Sequence, residues 1–314
     1  WPTTDRRWHD MSTGVYAKTA GDLIRDALRA ATISGISLPV QSEDFAQGES
    51  ALNDILMSLQ TEQIHVWAQT EALIPLNPDQ TKYVFGTDHI FTNYVYTTAD
   101  AAIATATSLT VVSTTGMTTG DFIGIELADG TRQWTTLTVT GATTLTLASA
   151  LTGDIDDLAS VYTYTTATDQ PVRIDSVRYA DTYTSDEIST SMVARDEYFN
   201  QPSKTTSGAV NTWYFQRNLD FGHLYVWPIA DSCKRLLRIT FIKPQYIPED
   251  QSEDVLIPPE WYVALKFKLA ADLAMSYGVD PNRQMMLEQK AAIYLQKAIS
   301  SDDDGASFQF TPSR

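Results

Sequence analysis

The residues of this 314-residue chain that could do chemistry are four histidines, one cysteine and 39 acidic side chains. His9, His65, His89 and His223 are scattered, with no Glu or Asp at a helical metal-binding spacing, so no zinc or other metal centre is expected. Cys233 stands alone, which rules out an internal disulfide and a thiolate cluster and fits a chain folded in a reducing cytoplasm; its thiol is expected to be inert. Two neighbouring carboxylate pairs, Asp186-Glu187 and Asp196-Glu197, have the group types of glycoside hydrolysis, one carboxyl as acid and one as base or nucleophile. With 39 acidic residues such neighbours arise by chance, and a solvated face explains them better. There is no G-x-S-x-G elbow, Walker loop or G-x-G-x-x-G. No catalytic, cofactor-binding or metal residue is therefore assigned, and the chain is not read as an enzyme.

The formal charge is 22 minus 39, or −17, so the surface as a whole repels a phosphate backbone and conventional DNA binding is not expected. Hydrophobic residues make up 43% of the chain, enough for a sizeable core. No apolar run approaches the roughly 20 residues that cross a bilayer, and WPTTDRRWHD lacks the basic-then-apolar order of a signal peptide, so a soluble protein is expected. Met11, followed by STGVYAKTAGDL, is a plausible initiator.

The elements that would position any site read as follows. Thr19-Ala-Gly-Asp22 is a capping-box variant opening a helix over about 19–33, with Leu23, Ile24, Ala27, Leu28 and Ala31 as its stripe. Ser42 caps a second helix, with Phe45, Leu52, Ile55, Leu56 and Leu59 inward, that ends before His65, and the two form a hairpin. EALIPLNPDQTKYVFG reads as a strand pair turning at Asn77-Pro78-Asp79. From Thr92 to Thr168 threonine is roughly a third of the residues and no helical stripe remains, the mark of short strands. Within it SLTVVS (108–113) is echoed by TLTLAS (144–149); GDFIGIEL follows the first copy and DDLASVYTY the second, with Asp129-Gly130 as a hairpin turn between them. An inserted all-β module, a small barrel or sandwich, is expected there.

DQPVRIDSVRY, NTWYFQRN, GHLYVWP and RLLRITFIKP are further strands. GHLYVWP runs into Trp227-Pro228, and because proline donates nothing to a ladder, the strand is expected to stop there at an edge with Trp227 as a core anchor. Pro258-Pro259-Glu260 starts a helix buried along Trp261, Leu265, Leu269 and Leu273 up to Tyr277-Gly278. A last helix spans about 281–299, with Met285, Ala292, Leu295 and Ile299 inward, and SSDDDGASFQFTPSR follows as an extended arm.

This order of elements resembles the head-to-tail adaptor (tail accessory factor, head completion protein) family of short-tailed bacteriophages. The matching stretches are TAGDLIRDALRAA, ALNDILMSLQTEQIHVW, GHLYVWP and LIPPEWYVALKFKLAADLAMSYG, over about 19–91 and 169–299. The resemblance implies an α+β fold in which the helical hairpin and C-terminal helices form a bundle with an antiparallel sheet. The expected organisation is an N-terminal extension 1–18, an adaptor core 19–91 with 169–299, the all-β insertion 92–168 and an arm 300–314. It implies a virion protein made in the host cytoplasm and placed at the head-tail junction: a homo-oligomeric ring, typically of twelve, that docks on the portal protein, meets tail tube or nozzle proteins, and lets genomic DNA pass without specific binding. No membrane or cofactor is implied. Trp227, Pro228 and Trp261 are then structural landmarks, with Trp227-Pro228 packing the sheet end against the hairpin, and Phe308, Phe310 and Pro312 in the arm would bind the portal or a neighbouring subunit. A cell-envelope glycan-binding or glycan-hydrolysing tail protein is the first alternative, and a tail-tube or baseplate component the second.

Overall fold

The computed structural model describes residues 18–33, 40–61, 69–184, 186–244 and 247–301. Met11, the first ten residues, His9, His65 and the arm residues Phe308, Phe310 and Pro312 lie outside them. The chain divides into two units, Trp1–Ala68 with Gln245–Arg314, and Gln69–Pro244. The described residues of the first hold four helices, and those of the second hold mainly antiparallel sheets and one short helix, so the fold is mixed α+β.

In the helical unit, α1 (Ala20–Ala30) starts where Thr19 Oγ1 accepts from the backbone N–H of Asp22 at 3.1 Å, satisfying one of the orphan donors of the first turn. Thr32, at φ 63, turns the chain after it, and the Ile33 amide reaches back to the Leu28 carbonyl. α2 (Ser42–Thr61) buries Leu52, Ile55, Leu56 and Leu59, and Gly48 lets it approach α1. α4 (Pro259–Ser276) has proline at its first position, where a missing N–H costs nothing, and closes at Gly278, φ 63. Leu23 and Leu28 of α1, Leu52 and Leu56 of α2, Trp261, Leu265, Leu269 and Leu273 of α4, and Leu287 and Ala298 of α5 (Pro281–Ser301) share one core.

On α5 the inward face differs from the expected one. Met285 is 58% exposed and Ala292 is exposed, whereas Leu287 and Ala298 are buried and Tyr294, Leu295 and Ile299 half-buried. Met285 and Ala292 share one face of the helix and Leu287, Tyr294 and Ala298 the opposite one, and apolarity alone does not say which is inner.

The second unit contains a sandwich and a half-barrel. In the first sandwich sheet the order is β1 (Gln69–Pro75), β14 (Arg235–Ile242), β9 (Arg173–Asp181), β10 (Glu187–Ser189). In the second it is β11 (Ser191–Met192), β12 (Thr212–Gln216), β13 (His223–Trp227), β2 (Lys82–Val84). Ile74, Val177, Ile239 and Phe241 of the first face Tyr83, Trp213, Leu224 and Val226 of the second in a common core. The expected β1–β2 hairpin does not form: β1 pairs with β14 and β2 with β13. Both strands bury a face in the same core, so they belong to facing sheets, and the turn through Asp79 (φ 64) carries the chain across.

Residues 92–168 lie inside this unit and supply a six-stranded antiparallel sheet with its own core. Its order is β3 (Val95–Ala99), β8 (Ala159–Tyr164), β5 (Phe122–Glu126), β6 (Arg132–Thr140), β7 (Thr144–Leu147), β4 (Ser108–Thr110). The sheet curls into a half-barrel whose end strands meet at the Ala99–Val111 bridge, with Asp100 N–H donating to Thr110 O and Val112 N–H to Thr98 O. The sequence echo has a geometric meaning: the two copies pair with each other, Leu109 opposite Leu145. The strands that follow them, β5 and β8, pair likewise. At a constant offset of 36 positions, the bond from Val111 N–H to Thr143 O is mirrored by that from Leu147 N–H to Thr107 O. The sheet is thus a duplicated three-strand unit, β3-β4-β5 and β6-β7-β8, folded about a pseudo-two-fold axis.

Candidate functional site

The carboxylate pairs named from sequence are not brought together as acid and base. Glu187, on β10, lies 2.9 Å from Arg178 and 3.0 Å from Arg238, and Arg178 also pairs with Glu71. Its charge is spent on neighbouring guanidinium groups across the sheet. Asp196 and Glu197 are solvated in the first turn of the short α3 (Arg195–Phe199), where carboxylates favour the helix dipole. Among the described residues no three His, Cys, Asp or Glu side chains are grouped to hold a metal ion.

His89 is stacked on Trp134 with ring centroids 3.8 Å apart, and its Nδ1 lies 2.6 Å from the Tyr164 hydroxyl. Burial pushes its pKa down to about 4, because charging the ring there forfeits hydration. His223 Nδ1 is 3.1 Å from the Asn218 amide. Cys233 is fully buried, its Sγ donates to the Thr131 carbonyl at 3.2 Å, and burial pushes the thiol up to about 11, so it is not poised as a nucleophile.

A polar cluster that the sequence did not reveal sits where the half-barrel meets the strands of the first sandwich sheet. Glu126, 5% exposed at the end of β5, accepts on Oε2 from the Ser160 hydroxyl at 2.6 Å, the Tyr183 hydroxyl at 2.7 Å and the Ser160 amide at 3.3 Å. Lys234 Nζ stands 3.7 Å from Oε1. Arg132, opposite Glu126 in the ladder, donates from Nη2 to Ser160 Oγ and the Cys233 carbonyl, each at 3.0 Å, and lies 5.0 Å over the Tyr162 ring. Burial, then the bond to Glu126, raises the Tyr183 hydroxyl above its ordinary range, so it stays a protonated donor. A carboxylate oxygen already holding three donors is a poor general base, so the arrangement is a strut between β5, β8, the turn at Tyr183 and the turn at Lys234. Its only sequence signal was polar residues inside apolar strands.

The outward face of the second sandwich sheet is aromatic. Tyr214 and Tyr225 are directly opposed, with rings 5.9 Å apart, and Phe199, 45% exposed, packs 5.5 Å from Tyr225. Lys204 Nζ sits 4.5 Å over Tyr198, and Arg195 lies 5.2 Å from the Phe199 ring. Trp227 belongs to this face, which corrects the expectation of a core anchor. The strand alternation sends Leu224 and Val226 inward and leaves Tyr225 and Trp227 half-buried on the other side. The indole donates to the Ser203 carbonyl at 2.7 Å, a partner within the same unit. β13 is also not an edge, since it runs between β12 and β2; the Trp227-Pro228 peptide is cis and buried Pro228 lies just past the strand's last residue. Trp261 is 2% exposed in the helical core.

The helical unit offers a different surface. The face of α5 turned from the core carries Met285, Gln289, Ala292, Ile293 and Gln296, all exposed and all uncharged. Monomer surfaces usually scatter charge over such a face, and its absence together with methionine is what interfaces show.

No protein-family model matches the chain, and no curated protein matches it with significant similarity.

Proposed function

We propose that the chain is a structural subunit of a phage head-to-tail adaptor ring, docked on the portal protein and continuing the DNA channel toward the tail. What carries the reading is the placement of the stretches on which the resemblance rests. TAGDLIRDALRAA contains α1, ALNDILMSLQTEQIHVW overlaps α2 and LIPPEWYVALKFKLAADLAMSYG contains α4, and these helices share one core although about 200 residues separate the second from the third. In this reading the four helices are the adaptor's bundle, the β unit faces tail components, and the role is assembly rather than catalysis. The net charge of −17 favours a wall along which DNA slides rather than sticks. No described helix is long and apolar enough to cross a membrane. Phe308, Phe310 and Pro312 are assigned to the portal contact. Truncation after Ser301 is expected to leave the unfolding curve unchanged and to leave heads unable to join tails; normal attachment would remove the arm from the proposal.

The aromatic face of β12 and β13 favours a second reading, a glycan-binding tail protein, because a sugar ring stacks on rings such as Phe199 and Tyr225. Purified cell walls that pull down the chain, and fail to after Phe199→Ala, would support it over the adaptor.

A further inference from the structure

We propose that α5 of one copy docks on α2 of a second copy, an unlike-face contact that repeats from subunit to subunit. Within a chain of net charge −17, α5 is a basic exception: Arg283, Lys290 and Lys297 against Glu288 give +2. The three basic residues are spaced by seven and line one flank of the uncharged stripe through Met285, Ala292 and Ile293. Lys290 and Lys297 lie 5.4 and 5.3 Å from the Phe267 and Tyr294 rings, which hold their stems along the helix. α2 is the opposite case, with Glu43, Asp44, Glu49 and Asp54 and no basic residue, or −4. Its outward face, Glu43, Ala46, Ser50, Asp54 and Met57, is exposed and small in the middle, so a helix could approach it closely.

Charge decides between the possible partners. Two α5 helices meeting antiparallel across a two-fold axis would set each Lys290–Lys297 row against its own copy, which repels. α5 against α2 sets +2 against −4 and buries the uncharged α5 stripe against Ala46 and Ser50 of α2. A contact between unlike faces leaves one α5 and one α2 unsatisfied in every dimer, so copies keep adding until a ring closes. The contact stands on the helix faces alone; only closure into a ring rests on the adaptor reading.

The test uses the full chain with Ser50→Cys and Ala292→Cys, both at exposed positions, while buried Cys233 stays in place. Circular dichroism first establishes that each variant is folded. Under mild oxidation, a mixture of the two single variants should give a mixed disulfide dimer, and the double variant a ladder of multimers on a non-reducing gel. Lys290→Glu with Lys297→Glu on the Ala292→Cys chain should abolish the mixed product. The proposal is overturned by Ala292→Cys dimerising alone as readily as in the mixture, by no cross-link in the mixture at any protein concentration, or by a product insensitive to the charge reversal. A ring seen on the portal without this cross-link would remove the contact and keep the adaptor; a ladder from a chain that never joins a portal would do the reverse.

Discussion

At the scale of single residues, three positions carry testable consequences. A Cβ on Gly48 would lie 2.4 Å from Cγ2 of Ile24, which is completely buried. Alanine in a helix interior is favoured over glycine by about 1 kcal/mol, but overpacking a core costs about 1–3 kcal/mol and Ile24 has no room to swing away. Gly48→Ala should therefore lower stability by up to about 2 kcal/mol in denaturant melts, and a more stable variant would show that α1 and α2 are not in contact there. Glu126→Ala strands the Ser160 and Tyr183 hydroxyls and leaves buried Arg132 without its opposing charge, and should cost about 2–4 kcal/mol. A loss below about 0.5 kcal/mol would mean the cluster is wet and not a strut. His89, with its pKa lowered to about 4 in the fold against about 6.5 unfolded, binds its proton more readily when unfolded. Its contribution is present above pH 6.5 and is lost as pH falls toward 4; His89→Gln should flatten that part of the stability–pH curve relative to wild type.

Among the elements, the duplicated half-barrel makes the sharpest prediction. Leu109 and Leu145 occupy equivalent positions across the pseudo-two-fold axis, and both are completely buried. Leu109→Ala and Leu145→Ala should each cost about 2–4 kcal/mol, with losses matched to within about 1 kcal/mol. One costly and one near-neutral substitution would contradict the symmetry. The duplication was legible because SLTVVS and TLTLAS repeat in both letters and alternation, and the helices were legible from Thr19, Pro259 and Gly278 at their ends. Partnership between strands was not. EALIP and KYV look like a hairpin because only six residues, LNPDQT, separate them, yet pairing is set by which strands share a core, and that information lies some 150 residues away in β13 and β14. Trp227 misled for a related reason: alternation places it outward with Tyr225, and size alone does not decide the face. On α5, Met285 and Ala292 were as good a stripe as Leu287 and Ala298, because this helix is apolar on two sides and apolarity alone does not say which is inner.

For the whole molecule, the sequence reading joined helices and sheet in one core, 19–91 with 169–299, and set only 92–168 apart, whereas the contacts divide the chain between its helical ends and its strands. The two helical stretches at either end of the chain join in one unit, and the strands between them, 69–244, form the other. The polar strut at Glu126 and Arg132 was invisible beforehand because its members come from positions 126, 132, 160, 183 and 233–234, each unremarked in its own strand or turn. The assembly proposal is most directly tested by electron cryomicroscopy of the purified full-length chain combined with portal rings. The expected result is a closed ring, of about twelve copies as the resemblance implies, seated coaxially on the portal, with α5 of each subunit against α2 of its neighbour. Portal rings that remain bare at saturating concentrations of folded chain would contradict the adaptor account.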